Sequence, residues 1–235
     1  MELIILGCDG SYPGPDGACS GYLVDGGAAG KLLMDCGSGV LPRLMAHMDP
    51  AELYGIVITH WHNDHASDML TLRYYLQIHQ KKLKVWAPLD EHPLRALCEC
   101  EQFELIDLAQ GLEMGDIHIS TMLVNHPLPA YALRLQQAHK AMVYSSDATL
   151  TPGLDQLCQG ADLLLCDATF TTQQWHDELP HMSAAQAAEL AKDAQVKRLL
   201  LTHCQPGSDS ALLLSQAQAV FAESRWAQAL QRYPL

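Results

Sequence analysis

Gly55-Ile56-Val57-Ile58-Thr59-His60-Trp61-His62-Asn63-Asp64-His65 is the stretch on which the fold turns. An apolar run leads straight into three imidazoles and a carboxylate held within six residues. Neutral imidazole and carboxylate together suit zinc first and manganese or iron next, and a catalytic site needs such donors on a rigid element. The run therefore reads as a buried strand, Gly55 to Thr59, delivering metal ligands from its end. His60 and His62 alternate at strand spacing and can reach one ion, while Asp64 and His65 on the following turn can reach a second. A histidine-rich surface loop is the competing reading.

Four donors cannot complete two metal sites, so others must come from further along the chain. Three polar residues stand at the ends of apolar runs: His126 after Ile117 to Val124, Asp147 after Ala141 to Ser146, and His203 after Lys197 to Thr202. A donor there can point at a site while the strand behind it stays fixed. Singly, each would pass for a hydrogen-bonded histidine or a turn aspartate; jointly they form a set.

His-x-His-x-Asp-His followed in order by a lone His, a lone Asp and a final His resembles the metallo-β-lactamase-fold hydrolases. The resemblance begins at Leu6-Gly7-Cys8-Asp9-Gly10, includes Met34-Asp35-Cys36-Gly37-Ser38-Gly39 and runs to Leu201-Thr202-His203-Cys204. It implies two divalent ions: His60, His62 and His126 on the first, Asp64, His65 and His203 on the second, and Asp147 between them. Within the superfamily the chain is most similar to the ribonuclease Z-like branch and its small phosphodiesterases. Pro180-His181-Met182-Ser183-Ala184 looks like that branch's His-x-Ser motif, and Cys166-Asp167-Ala168-Thr169-Phe170 like its His-Glu-Ala-Thr-Phe signature, with Cys166 for His and Asp167 for Glu. The resemblance makes Asp64 catalytic as well as a ligand, His181 the group that protonates a leaving alkoxide, and Asp167 its orienting partner. Asp35 would hold a ligand histidine from behind.

The bulk numbers agree with one large α/β unit over residues 1–235: nearly half of the residues (49%) are hydrophobic, enough for a full core, and no linker, low-complexity run or repeat is visible. Predicted strands at Glu2 to Leu6, Gly21 to Val24, Lys31 to Met34, Gly55 to Thr59, Leu83 to Trp86, Phe103 to Ile106, Ile117 to Val124, Tyr131 to Leu135 and Ala141 to Ser145 mix with predicted helices at Val40 to His47, Ser67 to Gln80 and Pro93 to Cys100. In the second of these, Leu70, Tyr74 and Ile78 repeat at helical spacing. Hairpin-like and strand-helix units together imply two sheets face to face with helices outside, the four-layer αββα sandwich that the resemblance also implies. Gly10 to Gly17 is expected to line the site mouth. Ser183 and Gln186 have the spacing of a capping box, which puts His181 just before a helix N-terminus where a phosphate could rest.

Composition also excludes. The first residues lack a basic flank and a long apolar core, no stretch approaches a membrane span, and none of the eight cysteines forms a C-x-x-C pair, so a reducing cytoplasm is expected. A formal charge of −13, from 27 acidic and 14 basic residues, opposes nucleic acid. Lys81-Lys82-x-Lys84 is the only basic cluster and is expected to cap the preceding helix.

The expected activity is hydrolysis of a small phosphodiester, such as a cyclic nucleotide or cyclic sugar phosphate, by water ionised at two metals. Maturation of tRNA 3′ ends is the alternative, but only 21 positions separate His126 from Asp147, too few for the inserted arm of the longer ribonuclease Z type. Thioester or lactone hydrolysis would use the same ligands without explaining Pro180 to Ala184. A binding protein on a decayed scaffold has no need of seven ligands. A homodimer is expected by resemblance.

Overall fold

The computed structural model describes residues 1–235. Its core is ordered by period-two alternation. In β1 (Glu2–Gly7), Leu3 and Ile5 face one way and Ile4 and Leu6 the other; in β3 (Lys31–Met34), Leu32 and Met34 oppose Leu33; in β11 (Leu163–Asp167), Leu163 and Leu165 oppose Leu164. Strands buried on both faces need cover on both, and the chain supplies it with three apolar layers. The middle one, from Leu3, Ile5, Tyr22 and Met34 to Leu133, Met142, Tyr144 and Leu165, lies between two sheets. The outer two lie between each sheet and its helices. The four-layer αββα sandwich expected from the sequence is what forms.

The first sheet runs β14-β1-β2-β3-β4-β5-β6, with β2 Gly21–Asp25, β4 Gly55–Val57, β5 Leu83–Ala87, β6 Phe103–Asp107 and β14 Arg232–Pro234. The second runs β13-β12-β11-β10-β9-β8-β7, with β7 Leu112–Met114, β8 Ile117–Val124, β9 Ala130–Gln137, β10 Lys140–Tyr144, β12 Leu199–Thr202 and β13 Ser224–Trp226. Each is antiparallel at one end and parallel at the other: β3 to β6 pair in parallel, and so do β10 to β13. Helices α1 (Val40–Met45), α2 (Asn63–Ala66), α3 (Met69–Ile78) and α4 (Pro93–Cys98) cover the first sheet; α5 (Leu154–Cys158), α6 (Ala184–Asp193) and α7 (Ser210–Val220) cover the second. No helix is long and apolar enough to cross a membrane.

Four expectations need correction. The strand drawn to Thr59 leaves its ladder at Val57, so His60 and His62 follow it on irregular backbone, and Asp64 and His65 sit on the short helix α2, not on a turn. The helix drawn from Ser67 to Gln80 is α3, and it buries Met69, Leu72 and Leu76. The other apolar series leaves Tyr74 57% and Ile78 78% exposed, because a helix with two apolar stripes can turn only one to the sheet. Lys84 is in β5, and Lys82 pairs with Glu101 across 3.2 Å, so the basic cluster does not act as one cap.

Candidate metal centre

Every residue singled out as a donor lies just past the C-terminal end of a strand: His60 and its neighbours after β4, His126 after β8, Asp147 after β10 and His203 after β12. Those four strands point the same way at one edge of the sandwich, where ligands of open α/β sheets gather. The backbone bends sharply to manage it. Asp35, Ser146 and His203 are non-glycine residues with φ of 59°, 56° and 65°, a left-handed conformation that side chains take up only where the surroundings impose it. Gly37 has no such twist, but a Cβ there would lie 1.9 Å from the carbonyl oxygen of Asp64, so only glycine lets α2 come that close.

Three overlapping donor groups result: the two expected metal sets, and a third in which Asp167 and His181 join Asp147 and His203. His60 Nε2 and His126 Nε2 lie 3.0 and 3.1 Å from His62 Nδ1, with Asp147 Oδ2 3.7 Å from His60 Nε2. Asp64 Oδ2 and Asp147 Oδ2 lie 3.1 and 3.2 Å from His203 Nε2, and His65 Nε2 is 3.2 Å from Asp147 Oδ2. Asp147 is the one residue common to both sets, each of which brings its donor atoms within 4.8 Å of one another. Thus all seven expected ligands converge.

The far nitrogen of most of these imidazoles is held in place. His65 Nδ1 donates to Asp35 Oδ2 at 2.8 Å, and His126 Nδ1 to the Pro180 carbonyl at 3.2 Å. His60 Nδ1 donates to Thr59 Oγ1, which donates on to Asp35, and His203 Nδ1 donates to Thr169 Oγ1, which donates on to Asp167. With Nδ1 carrying the proton, the Nε2 lone pair of each of the four is free to ligate. On the carboxylate side, the Ser11 amide donates to Asp64 Oδ2 at 2.7 Å, which brings the Gly10 to Gly17 loop to the site mouth as expected. No role was expected for Thr59, Thr169 or Tyr144, whose hydroxyl donates to Asp35. Thr59 is next to a ligand and Thr169 lies inside a signature, but Tyr144 carries no signal in the sequence.

His181 and Asp167 stand beside this cluster. His181 Nδ1 donates to Asp167 Oδ2 at 2.7 Å, and its ring stacks on His203 with centroids 4.9 Å apart. Nε2 of His181 has no partner within the chain. The capping box is present: it takes the amides of Ser183 and Gln186, and the Phe170 carbonyl takes that of Ala184. His181 stands in the loop ahead of this helix end.

Electrostatics separate the two kinds of histidine. Burial holds His60 and His62 below the usual imidazole range and His126 at about 4, so all three are neutral donors at physiological pH. Burial opposes charge on His65 and His181 as well, but carboxylates outweigh it: Asp167 lifts His181 to about 9, while Asp147 and Asp35 pull His65 upward, a pull that a cation held by Asp147 would cancel, leaving His65 Nε2 a neutral donor. Asp64 and Asp147 lie below the carboxylate range, because His203 and His65 overcome the cost of burial.

A family model described as the Beta-lactamase superfamily domain matches residues 31–204. The chain belongs to the beta-lactamase superfamily. It is 32% identical to the uncharacterized protein Rv1339 of Mycobacterium tuberculosis over 94% of this chain and 87% of that one. The crystal structure of the metallo-beta-lactamase fold protein YhfI from Bacillus subtilis matches with a TM-score of 0.92 and 27% identity, covering 99% of this chain and 98% of YhfI. Human tRNase Z, short form, matches with a TM-score of 0.78 at 21% identity over 100% and 99% of the two chains, a likeness of fold. Within this superfamily member the donor cluster sits on residues 60 to 203, inside the matched region.

Proposed function

We propose that this protein is a hydrolase of small phosphodiesters that works with two divalent metal ions, zinc first among the candidates. The donor set suits that chemistry: four imidazoles fixed as Nε2 donors, His62 through Nδ1, and two ionised carboxylates. The buried atoms His65 Nε2 and Asp147 Oδ1 lack any hydrogen-bond partner, which is costly unless a cation takes their lone pairs. His60, His62 and His126 would hold one ion, Asp64, His65 and His203 the other, and Asp147 both. Bound there, two ions would supply Lewis acidity, bringing the pKa of water to ~7 and polarising a phosphoryl oxygen.

The observation that carries the choice of phosphodiester is the His181–Asp167 pair, outside the two expected metal sets yet against His203. Thioesters, whose thiolate departs without a proton, have no use for an acid there. An alkoxide does. Asp167 keeps the His181 proton on Nδ1 shared and the ring charged, so Nε2–H can donate to the departing oxygen. Burial by Phe170 and His126, whose rings lie 6.1 and 5.4 Å away, limits competing water.

The test is a hydrolysis screen on zinc- or manganese-loaded protein with cyclic nucleotides, bis(p-nitrophenyl) phosphate, a tRNA precursor and a thioester. Turnover of the small diesters with little on the tRNA precursor is expected. Activity confined to the thioester would overturn the reading, and efficient tRNA 3′ cleavage at physiological salt would replace it with the endonuclease alternative.

A further inference from the structure

His62 and Asn63 border two spaces at once. One is the mouth of the donor cluster, shared with Ser11, Asp64, Asp147, His181 and His203. The other is a recess of about 430 Å³ walled by Trp61, Leu70, Pro93, Leu94 and Leu97, with His92 at its edge. That volume falls in the ~300–1,000 Å³ range of small-molecule sites. Its floor offers no stray polarity: the Trp61 indole nitrogen is occupied, donating to the Pro88 carbonyl at 2.8 Å. Because His92 Nδ1 accepts the Leu94 amide at 3.2 Å, the His92 proton sits on Nε2, so the polar groups of the recess, His92, His62 and Asn63, stand beside an apolar wall of Leu70, Pro93, Leu94 and Leu97.

A second recess adjoins the cluster through His126 and has the opposite character. It is lined by Asn125, Thr149, Asp177, Glu178, Leu179 and Pro180, and Pro180 leads directly into His181. Two carboxylates there exclude an anionic arm and suit a hydroxylated or cationic one. A phosphodiester has two ester arms, and the arm beside His181 is the one that leaves.

We propose that the Trp61–Leu97 recess is a specificity pocket that takes a planar apolar group, a heterocycle or aryl ring, carried by the ester arm that stays on phosphorus. The inference rests on the phosphodiesterase reading and adds its substrate class: an unsymmetrical diester, aromatic on the retained arm and hydroxylated on the leaving arm. The reaction is ordinary hydrolysis. Water oxygen bonds to phosphorus, the P–O bond to the leaving arm breaks, that oxygen takes a proton from His181, the proton that water loses restores His181 by way of solvent, and the aromatic arm departs later as its phosphomonoester.

Phenyl p-nitrophenyl phosphate and methyl p-nitrophenyl phosphate share a leaving group and differ only in the retained arm. The loaded enzyme is expected to show kcat/KM roughly 10-fold or more higher for the phenyl ester, carried by KM, as burial of a ring predicts. Leu97 is 53% exposed, so Leu97→Ser is expected to keep the fold; it should remove most of that preference by raising KM for the phenyl ester. Leu70→Ala, from the opposite wall, should do the same. Calorimetric titration with phenyl phosphate and methyl phosphate reads the same difference without turnover. Hydrolysis of both esters with equal kcat/KM would overturn the pocket and spare the phosphodiesterase reading, whereas hydrolysis of neither would overturn both. Should Leu97→Ser alter the sedimenting mass but not the ratio, the face is a contact between copies and the pocket assignment is wrong.

Discussion

Asp35 and Asp167 hold the site in the same way from opposite sheets. Asp35 follows β3 and takes His65 directly and His60 through Thr59; Asp167 ends β11 and takes His181 directly and His203 through Thr169. Both carboxylates are buried. Each fixes the orientation of two rings with one charge, so the imidazoles are set before anything binds.

Removing the charge of Asp35 should therefore be felt at the metals. In Asp35→Asn the new amide cannot accept from Thr59 and Tyr144 and also from His65 Nδ1. Metal affinity is expected to fall about 10- to 100-fold, with the stability of the metal-free protein down by about 1–3 kcal/mol. Competition with a chromogenic chelator measures the first, urea unfolding the second. Unchanged affinity would show that His65 needs no support.

Because Asp147 alone belongs to both donor sets, stoichiometry should respond unequally to substitution. Wild-type protein is expected to hold two ions per chain by elemental analysis, His126→Ala close to one, and Asp147→Ala fewer than two with both weakened. Saturating zinc at 100-fold over its dissociation constant should add about 2.7 kcal/mol per site to folding stability, reversed by chelation. Retention of two tightly held ions in Asp147→Ala would rule out the shared role.

Loss of the His181 ring should cost most where the leaving group is poor. His181→Ala is expected to keep its metal content and to slow alkyl diesters by about 100- to 10,000-fold, while p-nitrophenyl esters, whose leaving group departs almost unaided, lose far less. Equal losses on both would make His181 a phosphate-positioning group and not the acid.

Away from the site, Asp162 supports the second sheet. Its carboxylate accepts from Lys197 Nζ at 2.9 Å, the Ala141 amide at 2.9 Å and Lys140 Nζ at 3.1 Å. Burial opposes its charge, but those three donors outweigh it and hold its pKa below the ordinary value. A lowered folded-state pKa gives stability that is present above the unfolded value of ~3.9 and lost as pH falls below it. Asp162→Asn should thus be about 1–3 kcal/mol less stable than wild type at pH 7, with the gap closing as pH drops under ~4. A gap independent of pH in urea titrations would mean the charge contributes nothing.

What could be read in advance follows from how local each signal is. Lys31–Met34 and Ile117–Val124 are strands with the bounds that their apolar runs suggested, and the His60 to His65 cluster announced its chemistry through donor density alone. Leu70, Tyr74 and Ile78 misled because spacing shows that a stripe exists and not which of two stripes meets the sheet. The three-residue strands β7, β13 and β14 carry too few residues for any pattern; they exist because neighbouring strands offer free ladder groups. Thr59 and Thr169 escaped notice for a similar reason. A hydroxyl relay is defined by what folds against it, and standing beside a ligand or inside a signature does not say that a threonine serves as one.

The crossing between sheets has a practical consequence. Residues up to Asp107 build the first sheet apart from β14 and carry His60, His62, Asp64 and His65; those after it carry His126, Asp147 and His203. A chain opened between the exposed Ala109 and Gln110 would give two fragments, each a fractional chelator with one apolar face bare. Only their reunion would bring the two halves of the donor cluster together, and β14 of the second fragment would have to add itself to β1 of the first as it happened. Under the two-metal reading, metal uptake would then report reassembly of a split pair.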